Sequence, residues 1–134
     1  MSNRKGLVLL AVLVMCAFIS LGAMLLFSTA NMEMMIAGNT RRINQAKISA
    51  ASGLNHFTAL RLDYDALRER ADGLQTLQIL HMTQLSSHTS YEVKVHFSSR
   101  LNDRHYVVES IGYYTKGDRV LSSHPIKALF QGEQ

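Results

Sequence analysis

Six histidines, His56, His81, His88, His96, His105 and His124, are the first residues whose chemistry could build a site. Metal-binding histidines recur as His-x-His, His-x3-His or His-Glu-x2-His, spacings that place two ligands on one face of a strand or helix. None of these spacings occurs here, and the single cysteine, Cys16, lies inside an apolar run. One cysteine also excludes a disulfide within the chain. Met32, Met34 and Met35 carry soft sulfur that suits copper. At the end of an apolar run, flexible packing is the simpler use of them. Asp63, Asp65 and Glu69 fall on neighbouring helical turns and read as a solvated face. There is no glycine-rich phosphate loop, no Gly-x-Ser-x-Gly and no activated nucleophile. The expectation is a protein that is not an enzyme and carries no metal or cofactor.

The charge is as uninformative about chemistry as the histidines. The chain has 14 Lys and Arg against 10 Asp and Glu, a formal net charge of +4. Its basic residues are scattered as Arg41/Arg42, Arg61, Arg68/Arg70, Arg100/Arg104 and Lys116/Arg119. No basic stripe interleaved with aromatics forms, so nucleic acid is not an expected partner.

The elements are more telling. Leu7 to Phe27 is 21 residues without a charge. As a helix it would span about 30 Å, the thickness of a bilayer's hydrocarbon core. Arg4 and Lys5 precede it and no Lys or Arg follows until Arg41. That asymmetry predicts a cytoplasmic N-terminus with the rest of the chain across the membrane. The run exceeds a usual signal-peptide core, and Ser28-Thr29-Ala30 is a weak cleavage site. Ser20, Gly22 and Ala23 bring small residues that allow helices to approach closely.

Beyond the span, Ile36, Ile43, Ala46, Ala50, Leu54 and Phe57 recur at helical spacing among polar residues, predicting an amphipathic continuation over residues 28–62. Proline does not occur before Pro125, and Gly38 and Gly53 are the weak points. Residues 63–88 read as a connection: a helix over Asp63–Ala71 stopped by Asp72-Gly73, then leucines suggesting a short helix ending in a Ser/His/Thr loop. Residues 89–134 switch to period two. Tyr91, Val93, Val95 and Phe97 alternate with polar residues, and a turn is expected at Asn102-Asp103. A second strand follows over residues 104–115 with Gly112 at a bulge, then a hairpin turn at Lys116-Gly117-Asp118. Pro125 marks the third strand, residues 119–130, as an edge strand or one broken there. The expected fold is α+β, a long N-terminal helix packed on a small antiparallel three-stranded sheet.

Particular residues here resemble a family. Arg4-Lys5-Gly6 followed by Leu7-Val8-Leu9-Leu10 resembles a class III prepilin leader, residues 1–6. Met35-Ile36-Ala37-Gly38-Asn39-Thr40-Arg41, with Ala46, Ala50 and Ala51 behind it, resembles the Met-x-Ala-Gly-Asn-x-Arg…Ala…Ala-Ala block of PilX-type minor pilins. The Tyr106–Gly112 stretch looks like that family's last strands, a generic match. The resemblance implies the type IV pilin fold, cleavage between Gly6 and Leu7 by prepilin peptidase, and N-methylation of Leu7. It implies subunit packing through Ala11, Ser20, Gly22, Met35, Ala37, Gly38, Asn39 and Arg41. Major pilins usually carry glutamate as the fifth mature residue; here that position is Ala11, as in PilX-type and GspK subunits. An unpaired carboxylate in lipid is costly, so a subunit without one fits first placement, near a tip.

The function so implied is a minor pilin that primes type IV pilus assembly and sits in or near the tip complex. Its expected partners are other minor and major pilins, the prepilin peptidase, the inner-membrane assembly platform and a PilY-type tip adhesin. Its expected location is the bacterial inner membrane with a periplasmic domain, then the pilus. Two alternatives stand beside it. One is a tip pseudopilin of a type II secretion system, although GspK proteins carry a large inserted domain for which this chain has little room. The other is a non-pilin, signal-anchored periplasmic binding domain.

Overall fold

The computed structural model describes residues 2–98 and 104–132, with side chains from Gly6 onward. The expected turn at Asn102-Asp103 and the side chains of Arg4 and Lys5 lie outside the described residues. The element order is helix α1 (Ser2–Ala59), helix α2 (Tyr64–Ala71), and strands β1 (Thr76–Ser86), β2 (Thr89–Phe97), β3 (His105–Lys116) and β4 (Arg119–Gln131). The chain forms two compact units that meet in sequence between Asn39 and Thr40.

Up to Asn39 the first unit is helix α1 alone, and from Gly6 to Ala37 its side chains are exposed on every face. Alanine, leucine and methionine dominate it, residues that lose little freedom in a helix. This helix is long and apolar enough to cross a membrane. The helical assignment includes Gly38 without interruption.

The second unit has an α+β architecture in which the C-terminal part of α1 lies on an antiparallel sheet ordered β1-β2-β3-β4. Helix α1 ends where Leu60 N–H reaches back to the His56 and Phe57 carbonyls and Arg61 turns left-handed at φ 45°. Helix α2 stops where the sequence indicates it: Asp72 and Gly73 take φ of 47° and 82°, and Leu74 N–H bonds Ala71 O at 2.8 Å. The hairpin turn also lies as expected, with Gly117 at φ 60° between β3 and β4. Strand β4 occupies an edge, where Pro125 costs the sheet least.

Two expectations are corrected. The sheet has four strands, because residues 76–86, expected as a short helix and loop, form β1 paired with β2. Leu77 stands opposite Val95 and Leu80 opposite Val93, with the register shifting between Gln78 and Leu80. The irregularity inserts an extra residue, so leucines three apart in sequence meet neighbouring same-face positions of β2. A bulged strand thereby imitates helical spacing. Gly112 is not at a bulge: it pairs in continuous register with Tyr91 and His124.

The core lies between α1, α2 and one face of the sheet. Phe57, Leu67, Ala71, Tyr91, Val93, Val95, Phe97, Tyr106 and Val108 are buried there. Phe130 stacks on Tyr106 at 5.6 Å between centroids and meets Phe57 edge-on at 5.7 Å.

Candidate assembly surface

The residues expected to pack against other subunits are distributed over α1. Gly6, Leu7, Ala11, Ser20, Gly22, Met35, Ala37, Asn39 and Arg41 are exposed, and Gly38 is half-buried. Ala11 and Gly22 are eleven residues apart, about three turns, and so share one face. Ser20 falls on the opposite face. Met35, Gly38 and Asn39 lie at spacings of three and four and share a face. A side-chain carbon added to Gly6, Gly22 or Gly38 would meet nothing within 4 Å. The Ser20 hydroxyl donates to Cys16 O at 2.8 Å and that of Thr29 to Leu25 O at 3.0 Å. Both are satisfied inside the helix, the condition under which a hydroxyl tolerates an apolar medium. Chemically, this surface can bury apolar area against lipid or other helices.

Within the second unit, α1 meets the sheet through a seam of small residues. Ala46, Ser49, Ala50, Gly53 and Phe57 are buried at helical spacing, whereas Ile36 and Ile43, expected on the same face, are exposed. Ser49 donates its hydroxyl to Ser90 O at 2.7 Å, and Ser110 donates its hydroxyl to Ala50 O at 2.7 Å. The two bonds run in opposite directions between helix and sheet, and the Ser49 and Ser110 side chains are fully buried. Such buried bonds are expensive to break because neither partner regains water. Gly112 makes the approach possible: a Cβ there would fall on Ala46 O and Ala50 N. Gly53 answers from the helix, its missing Cβ occupied by Ser110 Oγ and the Tyr91 ring. Tyr91 also bonds its hydroxyl to His56 Nδ1 at 2.7 Å. Of the alanines in the pilin-like block, Ala46 and Ala50 belong to this seam, while Ala51 is exposed.

The opposite sheet face carries a ladder of paired charges. Lys94 Nζ lies 2.9 Å from Glu92, and Tyr113 donates its hydroxyl to Glu92 at 2.6 Å. Glu109 ties three strands, taking His96 Nε2 at 3.0 Å and Lys127 Nζ at 3.2 Å. Burial pushes both glutamates up, but the hydrogen bonds and charges of their partners prevail and leave each below its ordinary value. Burial, then the hydrogen bond to Glu92, pushes Tyr113 up to about 12. Every carboxylate oxygen pair here is engaged by its own sheet, which is the pattern of a stabilised face.

The histidines are distributed among such roles. His56 serves the seam, His96 serves the ladder, and His88 stacks on Tyr114 at 6.1 Å. Among the described residues, no three His, Cys, Asp or Glu side chains gather to hold a metal ion. The sequence reasoning missed Ser49, Ser110 and Gly53 as seam residues. The signal for Ser49 and Gly53 was present as small residues at positions 46, 49, 50 and 53, one face of a helix. The ladder was legible only as the polar half of the β2 alternation. Comparison with protein-family models, with curated proteins and with solved structures finds no match.

Proposed function

We propose that this chain is a minor pilin that primes assembly of a type IV pilus and resides in or near its tip complex. The observation that carries the reading is the first unit of α1, an apolar helix preceded by Arg4-Lys5-Gly6 and exposed over its whole circumference. Such a helix needs lipid or other helices around it. Assembly exchanges the first for the second, so the buried apolar area is conserved while an external motor supplies work. The α+β domain and the Met35–Arg41 block support the same reading. Ala11 at the fifth mature position removes the carboxylate that would need a partner, consistent with first placement.

The proposed machinery is cleavage between Gly6 and Leu7, N-methylation of Leu7, and helix packing along α1. Site-specific photocrosslinking from Ala11, Gly22 and Met35 in piliated cells tests it. The reading expects crosslinks to other pilins from these positions. Crosslinks to secretion-system pseudopilins would move the protein to a type II secretion pseudopilus. Products containing lipid alone would leave a signal-anchored domain.

A further inference from the structure

Between Leu7 and Thr40 helix α1 carries a single charged residue, Glu33. It is exposed, and among the described residues its carboxylate makes no hydrogen bond or ion pair. The residues three and four positions away are Thr29, Ala30, Ile36 and Ala37, so its own helix face offers no cation.

Glu33 sits inside an apolar collar. Met32, Met34, Met35 and Ile36 are 64, 72, 77 and 59% exposed, and at 3.6 residues per turn they stand on different sides of the helix. Contiguous exposed apolar surface of this kind marks an interaction site, and methionine adapts it to varied partners. Acyl chains are not what covers the collar. Residues 7–27 already fill a hydrocarbon core of about 30 Å. Along the helix, Glu33 lies about 9 Å and Ile36 about 13.5 Å beyond Phe27, at 1.5 Å per residue. The headgroup layer is only about 5–7.5 Å deep on each side. The collar stands clear of the lipid tails, where protein must bury it.

A protein that covers the collar also strips water from Glu33. A carboxylate enclosed by apolar side chains is costly unless a positive group meets it. We infer that the collar at 32–36 docks an apolar helix of a neighbouring pilin, one that carries a lysine or arginine facing Glu33. The inference rests on the pilin reading above and adds the chemistry of the neighbour. Charge complementarity selects such a helix over an uncharged one. It also fixes the axial register, because sliding by one turn, about 5.4 Å, parts the pair. A subunit placed first acquires this partner when the next subunit joins it.

The test uses the full chain in piliated cells. Its share in sheared pili is compared with that left in membranes for the parent, Glu33→Gln and Glu33→Lys. Glu33 bonds nothing among the described residues, so all three should reach the membrane at equal levels. Glu33→Gln keeps the shape and removes the charge. Its share in pili should fall about tenfold, the loss of one charge-assisted bond, and that of Glu33→Lys further. A photocrosslinker at Ala37, one turn from Glu33, identifies the neighbour within the sheared pili. The expected product is a pilin helix with a lysine or arginine within one turn of the crosslink. Changing that residue to glutamate should restore Glu33→Lys. An unchanged share for Glu33→Gln, a crosslinked segment without a basic residue, or no restoration by the swapped charge would overturn the inference and leave the pilin reading intact. A parent chain absent from sheared pili would overturn that reading, and the inference with it.

Discussion

Replacing Gly112 by alanine tests how the domain is held on α1. The new methyl group would occupy the place of Ala46 O and Ala50 N, which are helix backbone and cannot rotate away. The helix must lift, at about 1–3 kcal/mol for overpacking. Lifting also strains the Ser110–Ala50 and Ser49–Ser90 bonds, each 2.7 Å and buried, at about 0.5–1.5 kcal/mol apiece. Alanine regains about 0.5–1 kcal/mol from glycine's unfavourable entropy in a strand. The balance is a loss of about 1–5.5 kcal/mol, a large fraction of the stability of a small domain. Denaturant unfolding of the full chain in micelles measures it, followed by tyrosine fluorescence because the chain has no tryptophan. A Gly112→Ala protein within about 0.5 kcal/mol of the parent, the usual spread of neutral surface changes, would refute the seam geometry.

Four further outcomes follow from the same structure. Gly53→Ala should destabilise by forcing Ser110 Oγ and Tyr91 apart, and adding Ser110→Ala should recover part of the loss, which a double-mutant cycle would register as coupling. Gly38→Ala meets open space and should raise helicity, worth about 1 kcal/mol, as read by circular dichroism; a loss of helicity would contradict it. Glu92 and Glu109 lie below their ordinary value of 4.5 when folded, so their stabilisation is present above that pH and is lost as pH falls through the folded values. Amide protection along β3 and β4, taken relative to the intrinsic exchange rate at each pH, should therefore fall in acid, and Glu109→Gln should flatten the dependence. Tyr113 titrates at about 12 against an ordinary 10.0, so its contribution disappears as pH rises from 10.0 through about 12. Tyr113→Phe should diminish that alkaline phase, to which Tyr106, also pushed up by burial, contributes the remainder; an unchanged phase would contradict the assignment to Tyr113.

Much of the architecture was legible because single rules governed it. The uncharged run from Leu7 to Phe27, the alternation Tyr91–Phe97, the Asp72-Gly73 stop and the Gly117 turn each follow from one local preference. Strand β1 was hidden because its irregular register gives Leu77 and Leu80 the spacing of a helix. Gly112 was misread because a glycine in a strand serves equally for a bulge or for close approach, and only the position of Ala46 and Ala50 decides. Of the expected amphipathic face Ala46, Ala50 and Phe57 are buried, whereas Ile36 and Ile43 are exposed and the small residues Ser49 and Gly53 complete the stripe. Size mattered less than the distance at which the helix crosses the sheet. The packing residues from Ala11 to Arg41 rest on the pilin resemblance, since nothing in their spacing distinguishes a subunit contact from a lipid contact.

The central claim, that the apolar helix belongs to a processed pilin subunit, is tested most directly by the mass of the mature N-terminus. Membranes from cells with and without prepilin peptidase are compared by mass spectrometry. The account predicts a chain beginning at N-methylated Leu7 only where the peptidase is present. A chain that keeps Gly6 and the residues before it in both strains would contradict the account and leave a signal-anchored domain.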